Sequence, residues 1–192
     1  MGLVLETGPE VEPIDLESAK TYLGVDGSYR DAEILDLIAA ARGYIERDTG
    51  RFLLTQAHTL ILDRFPCVDD PSGGMIEMHF GPVQSVEIEY RDEGGVLRTL
   101  DPTSYQLDTS NPVARIACPD GWPSTREGLG AVSISAEVGY GDAASDVPPS
   151  LVQGVRLVLG HWFRNKEGVV TGVVSTAVHH ALDAIIGSYR IP

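Results

Sequence analysis

Apolar residues recur with helical spacing early in the chain. In the stretch DAEILDLIAAARGYIERDTG they follow the spacing i, i+4, i+7 and i+11, which places them on one face of a helix: Ile34, Ile38, Ala41 and Ile45. Asp31 is suited to cap this helix and Gly50 to end it. A shorter helix is predicted between the capping residue Asp15 and Gly24. Residues 1–13, rich in Pro, Gly and Glu, read as an extended arm before both helices.

From about residue 53 the pattern changes from helical spacing to alternation. Val86, Ile88 and Tyr90 would face one side of a strand, and the polar residues between them the other side. Turn residues separate the short runs rich in Val, Ile, Tyr and Thr: Glu93-Gly94-Gly95 and Asn111-Pro112. About six or seven such strands predict a small antiparallel sandwich or barrel.

Helical spacing returns after the strands. Leu151, Val155, Val158 and Trp162 form a stripe in a helix expected from Ser150 to about Lys166. A final helix is predicted over about 176–187, with Val178, Leu182 and Ile185 on one face and a short tail after it.

The order of elements predicts an α+β fold, a helical bundle of two N-terminal and two C-terminal helices with an inserted antiparallel β sandwich or barrel. We therefore expect four segments. Residues 1–52 would hold the arm and first helices, 53–147 the β insertion, 148–172 the next bundle helix, and 173–192 a C-terminal segment.

Acidic residues outnumber basic ones by 28 to 14 in the 192 residues, which gives a formal charge of -14. A chain with this charge repels a phosphate backbone, so a general nucleic-acid binder is not expected. Residues 1–149 carry 26 acidic and 10 basic side chains, but 150–192 carry 2 and 4. This reversal suggests that the C-terminal segment contacts a different surface from the rest of the chain.

Other sequence features point to a soluble protein made in a reducing cytoplasm. The two cysteines, Cys67 and Cys118, lack the CxxC spacing of a zinc or redox site. We find neither a signal-peptide pattern nor an apolar run long enough to span a membrane.

The stretch GHWFRNKEG, residues 160–168, concentrates side chains that could carry chemistry. On the predicted helix, however, Trp162 falls on the apolar stripe and belongs to the core. Arg164 and Lys166 lie in the last turn, where they complement the negative end of the helix dipole, and Gly168 breaks the helix. We interpret the stretch as a helix terminus.

No pattern predicts a catalytic, cofactor-binding or metal-binding residue. Gly139 to Ala144 match GxGxxA, but Pro148-Pro149 and the missing parallel βαβ pattern favour a turn between strand and helix. His179 and His180 are adjacent and point about 100° apart on a helix, which is poor geometry for one ion. A metal-dependent hydrolase using His161, His179 and His180 remains as an alternative.

Motifs along nearly the whole chain resemble those of the head–tail connector (adaptor) proteins of long-tailed bacteriophages and phage-like gene transfer agents. Six stretches carry the resemblance: VEPIDLESAKTYLGVDG, the second helix with Tyr44 and Thr49-Gly50-Arg51, LDRFP, GPVQSVEIEYRDEGG, VGYGDAASDVPPSLVQGVRLVLGHWFRNKEGVV and the terminal YRIP. Their order and spacing together carry the resemblance, because none is a catalytic signature.

The resemblance implies a structural virion protein without enzymatic activity or cofactor, made in the bacterial cytoplasm and located in the virion neck. Family members form a ring, commonly of twelve copies, between the portal protein and the stopper or tail-side neck proteins. Double-stranded DNA passes through the ring without sequence-specific binding, and no membrane is involved. The acidic body of the chain would keep contact with this DNA loose.

The resemblance also implies that the C-terminal segment docks on the portal and orders on assembly. The residues expected to make this contact are Val178, Leu182, Ile185, Ile186, Tyr189, Arg190 and Ile191. A hinge is expected beyond the helix terminus of Trp162, Arg164 and Lys166, between Gly168 and Gly172. Two other readings are kept: another neck ring protein, such as a stopper or tail terminator, and a free-standing binding module.

Overall fold

The computed structural model describes residues 2–67, 69–165 and 176–191, with side chains for all of these except 176–178. The helices are α1 (Leu16–Leu23), α2 (Asp31–Thr49), α3 (Pro149–Arg164) and α4 (Thr176–Ile186). The strands are β1 (Gly2–Thr7), β2 (Gln56–Leu62), β3 (Ile76–Met78), β4 (Val83–Arg91), β5 (Leu97–Thr99), β6 (Gln106–Asp108), β7 (Ala114–Ala117) and β8 (Val132–Val138). Short 3-10 turns follow at Pro102–Ser104, Ala144–Asp146 and Gly187–Tyr189. The prediction of an α+β fold is confirmed.

The chain forms two units, and neither is a single continuous stretch of sequence. The sheet unit consists of residues 2–8, 55–139 and 191. The helical unit consists of the described parts of Pro9–Leu54 and Tyr140–Arg190. The sheet unit therefore takes residues from near both ends of the chain, in addition to the strand-rich middle.

Local sequence signals set the ends of α1 and α2. The Asp15 carboxylate accepts a hydrogen bond of 2.7 Å from the backbone N–H of Ser18, so Asp15 caps α1 as predicted. Gly24 and Gly50 end the two helices with φ of 69° and 70°, in the left-handed region that glycine adopts without strain. Asp31 is the first residue of α2 and not its cap; the capping position belongs to Arg30, whose side chain makes no capping bond.

The core of the helical unit forms where the apolar stripes of its helices meet. Ile34, Ile38, Ala41 and Ile45 of α2 are all 0% exposed, as the helical spacing predicts. They pack in one cluster with the stripe of α3, formed by Leu151, Val155, Val158 and Trp162. Burial of these side chains supplies the main stabilisation of the unit, at about 25 cal/mol per Å² of apolar surface.

A buried ion pair fixes the segment that follows α2. Glu46 is 8% exposed, and its carboxylate accepts hydrogen bonds from the guanidinium of Arg42 at 2.8 Å and from the backbone N–H of Leu53 at 2.9 Å. Arg42 also donates to Glu12 at 2.8 Å. Burial alone would lower the pKa of Arg42, but the hydrogen bond to Glu12 and the charge of Glu46 outweigh it and raise the pKa. The network keeps a charge satisfied inside the unit.

The strands of the sheet unit form two antiparallel sheets. One has the order β1-β2-β8-β4-β5, and the other the order β3-β7-β6. In the larger sheet, Leu60 of β2 pairs with Ile134 of β8, which pairs with Ile88 of β4, and all three are buried. Hydroxyl and carboxylate side chains occupy the alternate positions, such as Thr59, Ser135 and Glu87, and mark the outer face of the sheet. The predicted alternation of β4 therefore has one buried and one polar face.

Residues Gly2–Thr7 were predicted to be part of an arm but form β1, an edge strand paired with β2. Pairing runs from Gly2 opposite Ile61 to Leu5 opposite His58 and becomes irregular between Leu5 and Thr7. The sequence pattern does not predict this strand because all six of its residues are exposed, so burial contributes little to its stability. The strand is instead stabilised by hydrogen bonds to β2, a distant part of the chain.

Candidate functional site

The end of α3 is built as a helix terminus. Trp162 is 6% exposed, and its indole ring meets the ring of Tyr44 edge-on, with centroids 5.7 Å apart. The helix ends at Arg164, which is exposed, and Asn165 follows as the C-cap. The backbone N–H of Asn165 donates to the carbonyl oxygen of His161 at 3.0 Å, and its side-chain amide donates to the same oxygen at 2.9 Å. These bonds provide partners for the carbonyl oxygen of His161, which lies in the last turn of α3, where carbonyl groups have no partner within the helix.

The remaining residues predicted at this terminus, Lys166, Gly168 and Gly172, lie outside the described residues. The predicted hinge between Gly168 and Gly172 therefore stays a prediction. Val178 of the expected docking set also falls among the residues whose side chains are not described.

The histidines of the hydrolase alternative lie on different helices. His161 is half-buried near the end of α3, and its ring lies 3.3 Å from the amide nitrogen of Asn165. His179 and His180 are exposed on α4. Among the described side chains, no group of three or more His, Cys, Asp or Glu is placed to hold a metal ion.

A pocket of about 410 Å³ opens on the helical unit beside the start of α1. Its charged lining residues are Glu12, Asp15, Asp142 and Arg156. Two of the carboxylates already serve the fold, since Glu12 pairs with Arg42 and Asp15 caps α1. Asp142 and Arg156 are the remaining charged residues of its lining.

The predicted docking residues divide into a buried set and a partly exposed set. Leu182 and Ile186 are 0% exposed and belong to the core of the helical unit, so in this structure they are not available to a partner. Helix α4 comes so close to α3 that a Cβ on Gly154 would lie 3.0 Å from Cγ2 of Ile186. Ile185 and Tyr189 pack on the rim of this core and keep part of their surface open, and Ile191 is half-buried.

Arg190 joins the last residues of the helical unit to α2 and α4. Its guanidinium donates to Asp48 at 2.8 Å and pairs with Asp183 at 2.7 Å. The two carboxylates raise the pKa of Arg190, and the hydrogen bond from Arg190 lowers the pKa of Asp183. Nearby, the guanidinium of Arg51 donates to the backbone carbonyl of Tyr189 at 3.0 Å.

Sequence reasoning missed Asp48, Asp183 and Arg51 as partners of this C-terminal segment. Arg190 and Asp48 are 142 residues apart, and no local pattern links them. One signal could have indicated the pairing of Arg190 with Asp183. Asp183 lies before the end of the last predicted helix and Arg190 just after it, where a basic side chain also complements the helix dipole.

Comparison with known proteins gives a match in fold. No protein-family model and no curated protein matches the sequence. Among solved structures, a chain in the neck of an empty gene transfer agent (GTA) particle, computed with C6 symmetry, matches with a TM-score of 0.83 at 21% identity. The match covers 100% of this chain and 96% of the other. This chain shares the fold of a GTA neck chain.

Two further structures of such particles agree. A chain of the native GTA virion matches with a TM-score of 0.79 at 21% identity. A chain in the neck of the native GTA particle, computed with C12 symmetry, matches with a TM-score of 0.78 at 22% identity. Both matches cover 100% of this chain and 96% of the other. Within the described part of this chain, no helix has the length and apolar character needed to cross a lipid bilayer.

Proposed function

We propose that this protein is a structural component of the neck of a phage-like particle. The observation that carries the proposal is the fold match to GTA neck chains over the full length of the chain, with a TM-score of up to 0.83. Because the match extends over both units, it supports a similar structural role for the whole chain more strongly than a role carried by one unit alone.

Within the neck, the protein acts as the head–tail connector, or adaptor. It forms a ring, of about twelve copies by analogy with the twelvefold neck, between the portal protein and the stopper or tail-side proteins. Double-stranded DNA passes through the ring. The motif resemblance along the sequence supports the adaptor role, and the C12 symmetry computed for one matching neck supports the ring.

The C-terminal segment docks on the portal through the residues that keep exposed surface. Ile185, Tyr189, Arg190 and Ile191 are each partly exposed, whereas Leu182 and Ile186 anchor α4 in the helical core. Docking through the exposed set needs no unfolding of that core. Deletion of residues 173–192 is therefore a poor test, since it would also remove two core side chains.

A point variant tests docking more cleanly. Ile191→Glu places a charge in the proposed apolar contact and should reduce incorporation of the protein into portal-containing particles by about tenfold or more, because an unpaired charge in an apolar interface is costly. Incorporation is measured by quantitative mass spectrometry of purified particles.

Leu129→Glu is the matched control, since Leu129 is 83% exposed and lies outside the C-terminal segment proposed to dock. It should be incorporated normally, and thermal unfolding should show both variants folded. Normal incorporation of folded Ile191→Glu would overturn this docking assignment. An electron-microscopy map of the neck would test the position itself, because density for this chain on the tail side of the stopper would contradict the adaptor role.

A further inference from the structure

The five-stranded sheet ends in two open edges that carry apolar side chains. On β1 all six residues are exposed, with Leu3 42%, Val4 44% and Leu5 55% accessible. At the other edge the three residues of β5 are all exposed, with Leu97 at 51% and the preceding Val96 at 53%. Within residues 2–67, 69–165 and 176–191, each edge strand is paired on one side only, β1 with β2 and β5 with β4. Within these residues, no strand pairs with the outer side of β1 or β5, so the backbone N–H and C=O groups there can pair with another strand.

The β1 edge lacks the usual protection against strand pairing. Protein edges are commonly guarded by lysine, proline or inward-pointing charge. The strand GLVLET has no basic residue and no proline, and Glu6 is its one charged side chain. Leu3 and Leu5 pair with Leu60 and His58, two buried residues. Leu3 and Leu5 therefore lie on the core-facing side of the sheet, but at its edge they remain exposed.

We propose that these two edges join neighbouring copies of this chain head to tail, with β5 of one copy pairing alongside β1 of the next. This inference rests on the proposed ring and names the surface that would build it. A ring of more than two copies needs two different, complementary surfaces on each subunit, and the two ends of one sheet supply such a pair.

Strand direction fits this arrangement. Successive strands of the sheet are antiparallel, so β1 and β5, the first and fifth in order, run in the same direction. In a twelvefold ring each copy is turned by only about 30° from the next, which nearly preserves strand direction, so the junction is a parallel pair.

The regular part of each edge is short, which sets the strength of a junction. Pairing of β1 is regular over Gly2–Leu5, and β5 has three residues. One junction therefore forms only a few backbone hydrogen bonds and is weak between two free chains. Closure of a ring makes the last junction intramolecular, where the effective concentration of the two edges is high.

Cysteine cross-linking distinguishes the possible edge pairings. Val4 and Leu97 lie on the same outer face of the sheet, since Val4 pairs with Thr59 and Leu97 with Arg91. In a Cys67→Ser, Cys118→Ser background, a chain carrying both Val4→Cys and Leu97→Cys is treated with a short bis-maleimide. Within one chain the two positions are about 19 Å apart across four strand spacings, too far for a short linker. Head-to-tail pairing predicts a ladder of covalent multimers, and each single-cysteine chain alone should give no dimer.

Other outcomes overturn the proposal. Dimers of the Val4→Cys chain alone would show pairing of β1 with β1 across a twofold axis. A ladder no stronger than that of a control combining Ser135→Cys, exposed on a central strand, with Leu97→Cys would show that the edges do not meet. The experiment is run on purified particles and on the purified chain at millimolar concentration. Absence of the chain from particles would refute the proposed neck role, while the cross-links of the purified chain would still decide the edge pairing.

Discussion

Single side chains set the limits of the helices, and Asp15 shows how. Its carboxylate accepts hydrogen bonds of 2.7 Å from both the backbone N–H and the hydroxyl of Ser18. The backbone hydrogen bond from Ser18, followed by its hydroxyl, lowers the pKa of Asp15 below its ordinary value of 3.8. The cap is therefore stronger when the carboxyl group is ionised.

Asp15→Ala should destabilise the protein by about 1 kcal/mol at neutral pH, the usual cost of a lost N-cap. Because the folded pKa is depressed, the ionic part of this stabilisation is complete above pH 3.8 and is lost as the pH falls through the lower folded value. Asp15→Asn, which caps without titrating, is the control and should show no such pH dependence. Urea unfolding at several pH values measures both. Unchanged stability of Asp15→Ala at neutral pH would show that the side chain does not act as a cap.

At the scale of elements, patterns with a local physical cause were predictable. The stripes of α2 and α3, the glycine stops after α1 and α2, and the hairpin turn before β5 follow from spacing and turn chemistry. Elements defined by distant partners were not predictable. Strand β1 forms because β2 provides hydrogen-bond partners for it. Neither the order of the strands nor their division into two sheets has a local signal in the sequence. The burial of Leu182 and Ile186 was missed because apolar residues at the end of a chain serve equally well for a core or for a partner.

The contact between α3 and α4 depends on the absence of a side chain at Gly154. A Cβ there would lie 3.0 Å from Cγ2 of Ile186 and 3.2 Å from Cδ1 of Ile45. Gly154→Val should destabilise the protein by about 2 kcal/mol through overpacking, with α4 as the element that shifts. Thermal unfolding measures the loss, and amide hydrogen exchange should report faster exchange in α4.

Gly43→Ala is the matched control for this prediction. Gly43 is exposed on α2, and an added Cβ would meet no atom within 4 Å. This substitution should stabilise the helix by about 0.8 kcal/mol. Equal effects of the two substitutions would show that α4 does not pack closely at Gly154.

At the scale of the molecule, the net charge of -14 predicts how the protein would respond to DNA. The outer face of the large sheet contributes Glu87, Glu89 and Glu137, at positions that pair with Ser135, Ser133 and Ser85. An acidic surface of this kind repels the phosphate backbone and forms no adhesive contact with it.

Purified protein at micromolar concentration should therefore leave the electrophoretic mobility of double-stranded DNA unchanged, even at low salt, where attraction between opposite charges would be strongest. Changing Glu87, Glu89 and Glu137 together to Lys should produce binding that weakens as salt is added. Retention of DNA by the unchanged protein would contradict the prediction that DNA slides past it loosely.

The split of each unit across the chain has a consequence for synthesis in the cell. The stripe of α2 leaves the ribosome before the strands β2 to β8, and its partner α3 is not made until residues Pro149–Arg164. A polypeptide that terminates early within that interval leaves Ile34, Ile38 and Ile45 without the cover of α3. Such a product exposes apolar surface that chaperones and proteases recognise, so we expect only translation products that extend past α3 to accumulate as folded protein.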